Sequence, residues 1–209
     1  SIFTHLVASE QAKHDEFTKA QISEFSSLYD EISRHLKYSP LRHVLNTSGI
    51  TRWPQAQFDM VRVGIGLHGF DGALTQNKGL QTVVVLKTTV SQVKNIKAGD
   101  TVGYGRLGVL PSGGKIATVK IGYADGYNRK FGNGVGKMVI NGKLVPTIGA
   151  ICMDMCMLDI TGLDVKTGDE VIVFDHQHSI VYLAKQIDTI PYEILTNISQ
   201  RVKRIYFYE

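Results

Sequence analysis

Cysteine is nearly absent: Cys152 and Cys156, four positions apart, are the only two in 209 residues. Two thiols build no disulfide framework and, without other ligands, no zinc centre, so free thiols in a reducing cytosol are expected. The sequence also lacks a basic run or an aromatic-interleaved basic patch. Its net charge of +4 and pI near 9.0 come from scattered Lys and Arg, which excludes the footprint of a nucleic-acid binder and suits a small anionic ligand. No apolar run reaches membrane-spanning length and no signal-like leader stands at the start, so a cytoplasmic protein with no membrane partner is expected. Asp154 has no second carboxylate at a spacing that suits paired acid/base work. His176 and His178 beside Asp175 read as a polar loop, and no metal is expected.

What is present is ordinary globular material, 43% hydrophobic and 20% charged, enough for one large domain or two small ones. The chain opens on Ser1-Ile2-Phe3-Thr4-His5-Leu6, without Met and inside what reads as a buried strand. The expectation is a piece of a longer chain.

Phe17, Phe25, Leu28, Tyr29, Ile32 and Leu36 recur at helical steps and predict a helix over 9–37, with Ser9 as N-cap and Ser39-Pro40 as the stop. A strand over 42–46 and, after Trp53-Pro54, a second over 60–67 complete an α/β grammar with parallel crossovers. From Leu80 onward strands and turns take over, with a β-rich run over 81–93. Ala98-Gly99-Asp100 and Thr167-Gly168-Asp169 are matching turns, each followed by a strand. Asn141-Gly142 predicts a hairpin between Lys137–Ile140 and Lys143–Ile148. Short helices are expected over 179–188 and 191–199, the second with Pro191 as its first residue, and a last strand over 202–208.

The most informative stretch is KIATVKIGYADGYNR, 115–129, read with VGYGR at 102–106 and ICMDM at 151–155. Each sets a Tyr, Met or Asp at the end of an apolar run, where turns display side chains; each alone also reads as an ordinary hairpin end. Gly64 and its neighbours offer backbone N–H groups and Thr47 a hydroxyl, which together suit a phosphate, although close packing explains the glycines equally. His5 and Arg62 stand inside apolar strands, where burial demands partners: either a satisfied core pair or a site. Tyr104, between Gly103 and Gly105, is a candidate base.

Taken together, FDMVRVGIGLHG (58–69), VGYGR, IATVKIGYADGY (116–127), ICMDM and ISQRVKRIY (198–206) resemble bacterial alanine racemases in order and spacing. The resemblance covers the whole chain and implies the later part of such an enzyme. Residues 1–79 would be the end of a TIM-type (β/α) barrel that binds pyridoxal 5′-phosphate, here incomplete, and 80–209 a mainly β-strand, β-barrel-like C-terminal domain. The implied activity is that of an isomerase interconverting L- and D-alanine for peptidoglycan synthesis, as a homodimer with shared active sites. By the same resemblance Tyr104 is the base on the L-alanine face and reaches into the partner's site. Arg62 faces the pyridine nitrogen, His5 supports it, and Thr47, Gly64 and Ile65 cradle the phosphate. The backbone N–H of Met153 holds the substrate carboxylate, and Tyr123, Cys152 and Asp154 surround or support the entrance.

Some positions depart from the pattern. No residue matches the Schiff-base lysine or the arginine that tunes the tyrosine, and Lys115 and Lys120 flank a strand far from an expected cofactor. Gln200 and Ala150 stand where some members have Tyr and Arg. These 209 residues alone are therefore expected to be inactive. An alternative is a non-catalytic cofactor-binding or dimerisation module of a larger protein; another is a relative acting on a different amino acid such as serine. An incomplete barrel leaves open sheet edges, and association is expected.

Overall fold

The computed structural model describes residues 1–73 and 79–207. The chain divides into two compact units, Ser1–Val83 and Val84–Glu209.

In the first unit, β1 (Ile2–Phe3) and β2 (Arg42–His43) pair in parallel, Ile2 opposite Arg42, and the helix α1 (Asp15–Arg34) connects them. That is the βα-β grammar read from the sequence, as the parallel pairing requires a crossover. Helix α1 carries Asp15 and Glu16 in its first turn and Arg34 in its last, charges that complement its dipole. Its Phe25 packs with Leu6, Val44, Leu45, Trp53 and Ala56 in one buried cluster.

Several boundaries differ from expectation. The helix is preceded by a 3₁₀ turn, Ala12–His14, and Ser9 is no cap; its buried hydroxyl donates to Asn46 Oδ1 at 2.8 Å. Strand β2 stops at His43, because Asn46 caps a short helix missed in the sequence, α2 (Thr47–Arg52), accepting the Gly49 N–H at 2.9 Å. Arg52 closes this arrangement by donating to both carboxylate oxygens of Asp15, at 2.8 and 2.9 Å. No strand forms over 60–67: Arg62 N–H reaches Leu45 O at 2.9 Å, and the chain then tightens into a 3₁₀ turn, Ile65–His68, ended by Gly69 at φ 83°.

The second unit is built on a closed barrel of six strands. They are β3 (Leu86–Ile96), β6 (Gly114–Val119), β7 (Lys137–Ile140), β8 (Lys143–Ile148), β9 (Cys156–Asp159) and β10 (Glu170–Phe174), in the order β10-β3-β6-β9-β8-β7. Every pairing is antiparallel. Two short strands, β4 (Thr101–Val102) and β5 (Gly108–Val109), pair beside it. Ile96, Val102, Ile116, Ile148 and Met157 form a buried cluster. The predicted hairpin is present with the expected strand limits, and Asn141 and Gly142 take φ 49° and 72°, both positive as a two-residue type I′ turn requires.

The matched turns share their chemistry: Lys97 N–H donates to Asp100 Oδ2 and Lys166 N–H to Asp169 Oδ2, at 2.9 and 3.0 Å. Two helices follow, α3 (Ile180–Gln186) and α4 (Pro191–Thr196), the second starting at its proline as expected. The strand expected over 202–208 does not form over 202–207, where Ile205, Tyr206 and Phe207 are exposed; Tyr208 lies outside the described residues.

Candidate functional site

Two clusters carry the candidate residues, one in each unit. In the first unit the cluster lies just past the C-terminal ends of the two parallel strands, where (β/α) barrels place their sites. Arg62 Nη2 donates to the carbonyls of Thr4 and Val44, at 3.1 and 3.2 Å. Its guanidinium carbon stands 5.0 Å from the centroid of the Phe3 ring, and Phe3 stacks on His43 with centroids 5.0 Å apart. Arg62 Nε is buried and has no hydrogen-bond partner among the described residues. His43 is buried too; desolvation, and then the positive charge of Arg62, push its pKa down.

Of the two readings open for His5, the satisfied core pair does not hold, because its side chain is exposed. Period-two alternation puts Phe3 and His5 on one face while Ile2 and Leu6 turn to the core, and the His5 side chain is exposed. Its carbonyl accepts from Gln21 Nε2 at 2.9 Å. His43 is linked to Arg62 through the Phe3 ring that both approach and through the arginine's charge, a pairing that the sequence signalled only as a polar residue opening an apolar run.

Thr47 organises the neighbouring loop. Its Oγ1 accepts the N–H of Gly64 at 3.0 Å and of Gly66 at 3.3 Å, and a Cβ on Gly66 would lie 2.9 Å from Thr47 Cγ2. Thr47, Ile50, Thr51, Val63, Gly66 and Asp71 line a cavity of about 290 Å³. The buried Asp71 carboxylate is committed to Ser48 Oγ at 2.7 Å, Thr51 Oγ1 at 2.5 Å and the Ala73 N–H at 2.9 Å. Ile65 is buried beneath this turn.

In the second unit Tyr104 rides on the connection from β4 to β5. Gly103 takes φ 77°, and after the tyrosine Gly105 and Arg106 take φ 66° and 57°, so the tyrosine is set between residues of positive φ. The ring is 75% exposed. A Cβ on Gly103 would lie 3.3 Å from Ala150 N, so this turn rests against the loop that carries Cys152, Met153 and Asp154. That loop meets a third segment, the 3₁₀ turn Tyr123–Asp125. Cys152 O accepts the Tyr123 N–H and Met153 O the Ala124 N–H, both at 3.0 Å. Gly122 permits the approach, because a Cβ there would sit 2.3 Å from Cys152 O.

Tyr104, Tyr123, Met153 and Asp154 are thus brought to one group of loops beside the barrel. The Met153 N–H has no hydrogen-bond partner among the described residues. Burial pushes up the Cys152 thiol and, more strongly, that of Cys156 inside the barrel. Among the described residues no group of three or more His, Cys, Asp or Glu could hold a metal ion, and no helix is long and apolar enough to cross a membrane.

Fold and site define a chain with part of a parallel (β/α) barrel, carrying a strand-end cluster with an arginine and a cavity of about 290 Å³, followed by a closed antiparallel barrel displaying a tyrosine. The chain belongs to the alanine racemase family: residues 1–71 match its N-terminal domain and residues 83–206 its C-terminal domain. Alanine racemase 1 of Clostridium acetobutylicum is 38% identical over 98% of this chain. A solved alanine racemase from Bartonella henselae, with covalently bound pyridoxal phosphate, is 34% identical over 99% of the chain with a TM-score of 0.85. One from the D-cycloserine-producing Streptomyces lavendulae is 26% identical, with a TM-score of 0.89. The chain spans 55% of the Clostridium relative and 56% of each of these two structures, about half their length.

Proposed function

We propose that the protein to which this chain belongs is a pyridoxal 5′-phosphate-dependent alanine racemase, an isomerase interconverting L- and D-alanine. The chain contributes the arginine and phosphate side of the cofactor site from residues 1–79 and the tyrosine side from 80–209. The observation that carries the reading is Tyr104, displayed on its left-handed turn against the Met153 loop. The cytoplasm, and the D-alanine supply for peptidoglycan, are the setting this reading gives it.

The residues present suit the cofactor. The buried, unpartnered Arg62 Nε is a donor available to a ring nitrogen, and a guanidinium keeps its proton at all working pH values. The Gly64–Gly66 turn is held in place by its two N–H bonds to Thr47 Oγ1 beside the cavity, which leaves the Thr47 hydroxyl and the Ile65 N–H as the donors it would offer a phosphate. Ile65 would present its backbone N–H there, and His5, two positions past β1, would support the arginine. When bound, pyridoxal phosphate supplies the electron sink that makes the α-proton of an amino acid removable.

Tyr104 takes or returns that proton at its phenolic oxygen, on the face used for L-alanine. The Met153 N–H fixes the substrate carboxylate, and Tyr123 and Asp154 border its approach. A base for the opposite face is also required, and no lysine in residues 1–209 matches one, so these residues alone are expected not to racemise alanine. The exposure of Tyr104 supports a homodimer in which it serves the partner's site.

Loss of α-deuterium from labelled L-alanine tests the tyrosine assignment. In the complete protein Tyr104→Phe should slow that loss by about 10²- to 10⁴-fold, as removal of a positioned base does. Unchanged loss would show that Tyr104 is not the base.

A further inference from the structure

Arg201 joins two carboxylates on separate loops. Its Nε donates to Asp125 Oδ1 at 2.7 Å and its Nη2 to Asp154 Oδ1 at 2.6 Å. The other oxygen of Asp125 accepts the Gly122 N–H at 2.8 Å, and the Asp125 carbonyl accepts the Ser199 N–H at 3.1 Å. The guanidinium therefore braces the Tyr123–Asp125 turn against the Met153 loop from the side-chain side. The carbonyls of Cys152 and Met153 brace it from the main-chain side.

We propose that Arg201 is a positioning residue that fixes the loop 152–155 so that the Met153 N–H meets the substrate carboxylate. The inference rests on the racemase reading for the identity of that carboxylate, but the bracing of the loop stands on the contacts themselves. Asp154 then acts through Arg201, as an anchor of the loop and not as a contact to substrate. A charge pair at the surface contributes little to global stability, and Asp154 is 55% exposed at its side chain, so the effect of losing Arg201 falls on loop geometry. The planar fork of arginine reaches two acceptors at once, which a lysine ammonium does with less directional fidelity.

The test uses the complete protein loaded with pyridoxal phosphate, comparing wild type with Arg201→Met, Arg201→Lys and Asp154→Asn. Two readouts are taken: alkylation of Cys152 by iodoacetamide, followed on its own peptide by mass spectrometry, and steady-state racemisation of L-alanine. Cys152 is half-buried in the braced loop, so its reactivity reports the loop without any turnover. Arg201→Met is expected to speed alkylation several-fold and to raise KM about tenfold, the scale of one good hydrogen bond, with kcat changed much less. Arg201→Lys should fall between, and Asp154→Asn, which keeps the Asp125 contact, should move both readouts in the same direction.

A folded Arg201→Met protein with wild-type alkylation and wild-type KM overturns the proposal, as does a fall in kcat alone. A wild-type protein that makes no D-alanine overturns the racemase reading, while the alkylation rates still decide the bracing.

Discussion

The side-chain oxygen of Thr47 accepts two backbone N–H groups, those of Gly64 and Gly66, across seventeen and nineteen positions of sequence. It converts a glycine-rich segment into a fixed turn beside a cavity of about 290 Å³. Thr47→Val keeps the shape and removes the acceptor. Cofactor affinity of the complete protein, read by fluorescence titration with pyridoxal phosphate, should weaken about tenfold, while Thr47→Ser should stay near wild type. Equal affinity in the valine variant would separate this turn from the phosphate.

Thr147 in β8 is a purely structural counterpart. Its buried hydroxyl donates to Phe131 O at 2.6 Å and accepts the Gly134 N–H at 3.1 Å. Phe131 O has a second donor in Gly136, and Gly134 is exposed to water, so the loss is partial. Thr147→Val should cost about 1–2 kcal/mol in urea unfolding, with no change in cofactor affinity.

His178 ties β7 to the segment before α3. Its Nε2 donates to Lys137 O at 2.9 Å, which places the proton of the neutral ring on that nitrogen. Burial lowers its pKa below the usual 6.5, against the smaller raising effects of the Lys137 carbonyl and Asp175. The unfolded chain then binds more protons than the folded one as pH falls below 6.5, so the contribution is complete above that value and is lost in acid. Urea midpoints at pH 8, 6.5 and 5 should fall with pH, and His178→Gln should flatten that fall. The same slope in the variant would assign it to other groups.

The hairpin at Asn141-Gly142, the paired Gly-Asp turns and the start of α4 were legible because each rests on a residue whose own backbone or side chain dictates the local form. The apolar run over 60–67 reads as a strand, but the N–H groups of Gly64 and Gly66 are claimed by Thr47, which no local pattern reveals. Apolar neighbours leave His5 open between a core pair and a site; its exposure removes the core pair and leaves the site that the family motifs imply. The family motifs mark Tyr104, Arg62, Met153 and Asp154, yet neither they nor any spacing joins Arg201 to Asp125 and Asp154, which lie 76 and 47 positions away. Contacts of that range exist only in the fold.

Tyr104 and Leu107 are 75% and 58% exposed on the same short connection. An apolar surface around a residue proposed to serve a second subunit suits a dimer contact. Leu107→Asp in the complete protein should shift the mass seen by light scattering from dimer towards monomer and lower racemisation with it. A dimer of unchanged stability would move the contact elsewhere.

The most direct measurement follows D-alanine formed from L-alanine by the complete protein containing this chain, with added pyridoxal phosphate. Racemisation that needs the cofactor and is lost in Tyr104→Phe is the expected result. A folded, cofactor-loaded protein that leaves L-alanine unchanged would contradict it.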